Sequence, residues 1–223
     1  ERGLKITLAT NNATRTVRQY VERLNNYGVE IIPCQIINSA MATAQYLHAR
    51  HPKGGPVYTI GEDGLRESLD QVGFYHSEKQ VLAVVVSMDR QLTYDKLRMA
   101  TLLIRNGAPF IATNADRTYP APEGLVPGAG SILAAIEAAC YISPVITGKP
   151  SPAMYQIALD RMELTPAETL VVGDRAETDI AGAQVLGCHS ALVLSGVTAI
   201  AEAQIWQPAP DLIIEDLDAI SRL

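Results

Sequence analysis

Short apolar runs alternate with longer amphipathic stretches along the whole chain, and the spacing within each decides what it can form. Leu4 to Ala9 reads as a strand, followed by the polar turn Thr10-Asn11-Asn12-Ala13-Thr14. Val17, Tyr20, Val21 and Leu24 then recur at helical spacing up to Gly28. Ile31 to Ile37 predicts a weaker strand around Pro33, and Ser39 is placed to cap a helix through Met41, Ala44 and Leu47. Beyond residue 54 the expected elements are a strand at Val57 to Ile60, a helix at Leu65 to Gln71 and a buried strand at Val81 to Val86. A capped helix at Thr93 to Arg105 and a strand at Phe110 to Thr113 follow. Asn114 to Gly130 holds three Pro and three Gly and no periodic pattern, which suits a binding loop. Ser131 is expected to cap a helix to Cys140, and the chain returns to an apolar run at Val145. In the last third, Pro152 to Met162 reads as a helix and Thr165-Pro166-Ala167-Glu168 has capping-box spacing. A strand at Thr169 to Val172, a helix at Asp179 to Leu186, and strands at Ser190 to Leu194 and Leu212 to Ile214 complete the pattern. Such alternation predicts an α/β fold, a mostly parallel sheet with helices on both faces.

At 223 residues the chain accommodates one large or two small domains. The Pro/Gly density of His51-Pro52-Lys53-Gly54-Gly55-Pro56 has the character of a hinge, so a domain boundary is expected there. A net charge of -6 without a basic stripe argues against a nucleic-acid partner and leaves room for a small phosphorylated molecule, which needs only local positive charge. Cys34, Cys140 and Cys188 are too scattered for a disulfide framework or a thiolate zinc site, which fits a reducing cytoplasm. No apolar run approaches the roughly 20 residues that span a bilayer, so no membrane partner is expected. Glu1-Arg2-Gly3 does not read as a signal peptide. Lacking an initiator Met, it resembles a helix's last turn and its Gly cap, so further residues are expected upstream. A dinucleotide-dependent enzyme is weakly supported, since no G-x-G-x-x-G follows a strand.

Two of the apolar runs end in glycine followed by a charged residue: Gly148-Lys149 and Gly173-Asp174. This puts a lysine and a carboxylate at the carboxyl ends of two strands, the edge where open α/β sheets collect ligands. The combination suits an anionic substrate and a hard divalent cation, because Mg²⁺ takes oxygen ligands and often only one or two carboxylates. Asp174 is the best metal candidate. Asp179, five residues on, stands near a helix start, where the helix dipole alone favours a carboxylate. Lys149, held between Gly148 and Pro150, can neutralise a phosphoryl group and the charge developed during its transfer, although an exposed loop lysine is the commoner case. Thr10 and Asn11 stand where a strand gives way to a helix, so hydroxyl, amide and free backbone N–H groups can converge on an anion; a plain turn explains them as well. His48, His51, His76 and His189 show no metal spacing and read as structural or solvent-facing, and Trp206 reads as packing.

Taken in order, Leu8-Ala9-Thr10-Asn11-Asn12, Gly148-Lys149-Pro150-Ser151-Pro152 and Val172-Gly173-Asp174-Arg175 with Thr178-Asp179 resemble the haloacid dehalogenase (HAD) superfamily. More narrowly, the chain is similar to its NagD-like, nitrophenyl-phosphatase branch. Ser39-Ala40-Met41-Ala42-Thr43-Ala44 and Ala112-Thr113-Asn114-Ala115-Asp116 extend the likeness over essentially the whole chain. The resemblance implies a Rossmann-like parallel-sheet core of residues 1–53 and 143–223 and an inserted α/β cap of residues 54–142. It implies Mg²⁺-dependent hydrolysis of phosphate monoesters through an aspartyl-phosphate. By motif match Thr10 and Asn11 would hold the phosphoryl group, Lys149 would bridge it to the nucleophile, Asp174 would ligate Mg²⁺ and Asp179 would support that shell. Asn114, Asp116 and the 117 to 130 loop would lie on the cap, where relatives select substrates and through which they often form homodimers. Thr10, Lys149 and Asp174 are thus expected around one anion and its cation.

The family's first motif, Asp-x-Asp after the first strand, supplies the nucleophile and the acid/base and is expected before residue 1. Asp216-Leu217-Asp218 is the nearest match within the chain, but an acidic pair after a late strand is ordinary at a helix start. Without the nucleophile covalent catalysis does not proceed, so the expectation is an active cytoplasmic phosphatase in longer form, with these residues alone inactive and either poorly soluble or low-melting. The rival from another class is a non-catalytic module of the same fold that senses a phosphorylated metabolite. Nucleotide, sugar phosphate, phosphoglycolate and pyridoxal phosphate all stay open as substrates.

Overall fold

The computed structural model describes residues 3–222, whose internal contacts group Ile6–Gly148 as one unit and 149–222 with 3–5 as another. In chain order the first unit contains β1 (Leu8–Thr10), α1 (Val17–Asn26), β2 (Ile36–Asn38), α2 (Ser39–Arg50), β3 (Gly55–Ile60), α3 (Asp63–Asp70) and β4 (Phe74–His76). Next come β5 (Val84–Val86), α4 (Tyr94–Arg105), β6 (Phe110–Ala112), β7 (Thr118–Ala121), β8 (Gly124–Pro127), α5 (Ala129–Cys140) and β9 (Val145–Ile146).

Five of these strands form a parallel sheet in the order β4-β3-β5-β6-β9. Its two faces are separated by the two-residue period of a strand. Val57, Val85 and Ile111 point to one side, where Ala40, Ala44 and Leu47 of α2 and Leu65 and Leu69 of α3 cover them. Tyr58, Ile60, Val84, Val86, Phe110 and Ala112 point to the other, against Ala100 and Ile104 of α4 and Ile132, Leu133 and Ile136 of α5. Both faces are covered, so a strand such as β5 reads as an unbroken apolar run. Each of its three valines is fully buried, which contributes about 1.5–3 kcal/mol apiece. The Pro/Gly-rich stretch 51–56 lies inside this unit, since α2 and α3 on either side of it share that apolar cluster.

The second unit contains α6 (Ala153–Met162), β10 (Leu170–Gly173), α7 (Ala181–Leu186), β11 (His189–Val193), α8 (Ile200–Ile205), β12 (Leu212–Ile214) and α9 (Leu217–Ser221). Its strands are parallel in the order β10-β11-β12. Leu192 of β11 packs with Ala176, Ile180 and Ala203, with Trp206 against that cluster, so the tryptophan is a packing residue. Leu159, Ala183 and Cys188 form a second small cluster. None of the described helices is long and apolar enough to cross a membrane.

Several boundaries differ from the sequence reading for local reasons. Pro33 opens a 3₁₀ turn (Pro33–Gln35), so the strand starts only at Ile36. Asn38, not Ser39, caps α2, its side chain accepting from the Met41 N–H at 3.0 Å. Gly128 precedes α5, and Ser131 lies inside its first turn with Oγ donating to the Arg117 carbonyl at 2.8 Å. The stretch expected as an irregular loop holds the antiparallel hairpin β7–β8. Neither of its strands has a buried residue, so no hydrophobic period marks it. Strand β4 was missed for a related reason: of its three residues only Phe74 is buried.

Candidate active site

In the first unit β1 and β2 run parallel with Thr10 opposite Asn38, so the turn after β1 emerges beside the start of α2. Thr10 Oγ1 accepts from the Asn12 N–H at 3.1 Å, and Asn12 Oδ1 accepts from the Thr14 N–H at 2.9 Å. These are the side-chain turns that Thr and Asn favour. The carbonyl of Asn11 receives two donors, Ser39 Oγ at 2.6 Å and Asn114 Nδ2 at 2.8 Å. The same Asn114 amide donates to Thr113 Oγ1 at 3.1 Å, and its Oδ1 accepts from the Asp116 N–H at 3.1 Å. Asn114 is thus brought to the Thr10-Asn11 turn as a buried brace, while Asp116 is half-buried at the base of the β7–β8 hairpin. Tyr20, which sequence reading used only as a helix-face residue, donates to the Asn12 carbonyl at 2.9 Å. Burial pushes its pKa up to about 12, so it stays a donor at neutral pH.

In the second unit Asp174 follows β10 directly, as the sequence pattern indicated. Its Oδ2 accepts from the Val197 N–H at 3.0 Å, and its carbonyl accepts from the Thr198 N–H at 3.0 Å. Among the described residues no hydrogen bond reaches its Oδ1. Gly196 lies against this carboxylate so closely that a Cβ there would collide with it.

Asp179 is near a helix start, as the sequence pattern indicated, but the turn that holds it is wider than an α-helix. It lies inside a π-helical turn (Ala176–Ile180) that runs directly into α7, so it stands in the first turn of that helical segment, where the dipole favours a carboxylate. Its Oδ1 accepts from Lys149 Nζ at 2.6 Å and its Oδ2 from the Arg175 N–H at 3.1 Å. The carboxylate rests on the backbone of Gly173, where any side chain would strike it. A wide turn leaves carbonyls misaligned, and Tyr155 meets that need: its hydroxyl lies 3.0 Å from the Thr178 carbonyl and 3.2 Å from that of Asp179. Burial, reinforced by Asp179, pushes the Tyr155 pKa well above the ordinary phenol value, keeping it protonated. Tyr155→Phe is expected to destabilise the protein by about 1–3 kcal/mol, the cost of unpaired buried carbonyls. Urea unfolding checks this, and an unchanged midpoint would count against that role for the hydroxyl.

The structure therefore pairs Lys149 with Asp179 in one unit and Thr10, Asn11 and Asn114 in the other. Tyr155, Gly196 and Thr198 were missed, and none of them carried a readable signal. Asp216 caps α9, its Oδ1 accepting from the Ala219 N–H at 3.0 Å, which is the helix-start role expected of it. His76 Nδ1 accepts from the Thr59 N–H at 3.2 Å, and His48 and His189 are exposed. No group of three or more His, Cys, Asp or Glu with metal-site geometry occurs among the described residues.

A site with one or two carboxylates is still within the range for Mg²⁺, which commonly keeps waters and substrate oxygens for its other positions. Asp174 fits that requirement, with one carboxylate oxygen braced by a backbone donor and the other unbonded among the described residues.

Comparison with known proteins identifies the family. Two family profiles match: the haloacid dehalogenase-like hydrolases over residues 1–75, and the HAD-hydrolase-like family over residues 146–220. An acid sugar phosphatase of Staphylococcus aureus is 36% identical over 224 residues, covering 100% of this chain and 86% of that protein. NagD of Escherichia coli superposes with a TM-score of 0.88 at 33% identity, over 96% of this chain and 83% of NagD. A glycerol phosphate phosphatase of Mycobacterium tuberculosis, solved in complex with magnesium, gives a TM-score of 0.93 at 33% identity over 98% of this chain and 67% of its own. With the motifs in order, the α/β fold and relatives matched along its whole length, the chain belongs to the haloacid dehalogenase superfamily as a NagD-like phosphatase.

Proposed function

We propose that this phosphatase hydrolyses small sugar phosphates with Mg²⁺, through an aspartyl-phosphate. The observation that carries the reading is Asp174, which follows a parallel strand with one carboxylate oxygen fixed by the Val197 N–H and the other open to a cation. The magnesium found in the glycerol phosphate phosphatase and the name of the acid sugar phosphatase support the cofactor and the substrate class. Asp174 would hold Mg²⁺. When bound, the ion would supply positive charge to offset that of the transferring phosphoryl group.

Phosphoryl binding and charge neutralisation belong to this chain's own residues. Thr10 and Asn11 bind phosphoryl oxygens, through side chains and N–H groups at a strand-to-helix turn. The Lys149 ammonium, oriented by Asp179, neutralises the phosphoryl group as it moves from the ester oxygen to the nucleophile. The nucleophile and the acid are the two carboxyl groups of the family's Asp-x-Asp motif, which is outside residues 1–223: an oxygen of the first bonds to phosphorus, the ester O–P bond breaks, and the second gives its proton to the departing sugar oxygen. Water, losing a proton to that second carboxylate, then attacks the acyl phosphate, releasing inorganic phosphate and regenerating both groups. Residues 54–142 act as the substrate-selecting cap, with Asp116 and the hairpin setting the choice and Asn114 bracing the Thr10-Asn11 turn, and the cap carries a homodimer contact. The cytoplasm is the proposed location.

Phosphate release from a panel of sugar, nucleotide and other monoesters by the full-length protein tests this. The expected result is a kcat/KM for sugar phosphates above that for nucleotides. Equal rates across the panel, or preference for a non-sugar ester, would overturn the substrate assignment.

A further inference from the structure

We propose that Thr198, in the turn after β11, is a positioning residue that sets the aim of the Asp174 carboxylate. The inference rests on Asp174 being the Mg²⁺ ligand. A carboxylate at the end of a strand is free to rotate unless something outside its own segment fixes it. Here the fixing element comes from the neighbouring strand, since Gly173 of β10 pairs with Leu192 of β11 and the chain turns back over Asp174 within a few residues. Thr198 brackets the aspartate on both sides. Its N–H donates to the Asp174 carbonyl at 3.0 Å, and its Oγ1 accepts from the Ala176 N–H at 3.0 Å. It does so while only 4% exposed. That bracket places the preceding N–H, of Val197, on Asp174 Oδ2, and brings Gly196 against the same carboxylate with no room for a side chain.

The consequence is a carboxylate with one oxygen pinned from the rear. Among the described residues only the other is left for a cation, and its direction is decided by the turn after β11. Outer partners of this kind commonly change metal affinity by about 10- to 100-fold when removed. Oγ1 is the atom that matters at Thr198, so the side chain can be altered without changing its size.

Mg²⁺ binding by calorimetry on the full-length protein, with the ion alone and no substrate, tests this in four variants. Thr198→Val keeps the shape and removes the acceptor; its Mg²⁺ dissociation constant should rise about tenfold or more, while Thr198→Ser, which keeps the hydroxyl, should bind as the parent does. Gly196→Ala leaves both Thr198 bonds in place but pushes a methyl onto the carboxylate, and should weaken Mg²⁺ binding similarly. It serves as the decisive variant if Thr198→Val does not fold. Asp174→Asn is the reference: weak binding there with parental binding in Thr198→Val and Gly196→Ala overturns the positioning role and leaves the ligand assignment standing. Parental binding in Asp174→Asn overturns the ligand assignment itself.

Discussion

Replacing Lys149 by methionine is expected to cost about 3 kcal/mol of folding stability and to abolish phosphate release. The lysine and Asp179 side chains are only 13% and 9% exposed and meet at 2.6 Å. Removing one partner of such a pair leaves the other as an unpaired buried charge, which measured cases place near 3–5 kcal/mol. The low end applies here, because the Arg175 N–H still donates to Asp179. The double variant Lys149→Met/Asp179→Asn removes both charges and should recover most of the lost stability without recovering activity. Urea unfolding of the three proteins, with phosphate release measured alongside, separates the structural role of the pair from its chemical one. A single variant that loses less than about 1 kcal/mol would show the pair to be solvated in the manner of a surface ion pair.

Asp174→Asn is expected to produce the opposite combination, a stable protein with almost no turnover. The asparagine oxygen can still accept from the Val197 N–H, and the Thr198 N–H bonds to the backbone carbonyl of residue 174 whatever the side chain. What is lost is the charge offered to Mg²⁺. Outer partners of metal ligands are worth about 10- to 100-fold, so loss of a ligand should lower kcat by more than about a hundredfold. Steady-state kinetics at saturating Mg²⁺, with a melting curve as control, measure both halves. A variant within about threefold of the parent, too small a change for lost transition-state stabilisation, would remove Asp174 from the chemistry.

What could be read from the sequence follows from which forces leave a periodic trace. Burial on both faces writes Val84-Val85-Val86 as an uninterrupted apolar run, and amphipathic burial writes Leu97, Ala100 and Ile104 at helical spacing. Such elements were legible, and so was the glycine-plus-charge ending that puts Asp174 after β10. The β7–β8 hairpin buries nothing and left no trace. The π turn at Ala176–Ile180 was equally silent, since it differs from an α-helix by one residue of hydrogen-bond register. Its two supports come from far along the chain: Tyr155 lies on α6, and Lys149 precedes that helix. Thr198 was unreadable for the same reason. Its two bonds join it to Asp174 and Ala176, more than twenty residues away, and only folding brings them together.

The most direct test of a phosphatase that depends on Asp174 and its cation is p-nitrophenyl phosphate turnover by the full-length protein, followed as Mg²⁺ is removed by a chelator and then restored. Turnover should vanish on removal, return in full with saturable dependence on the added ion, and fail to return in Asp174→Asn. A rate that is the same with and without the chelator would contradict it.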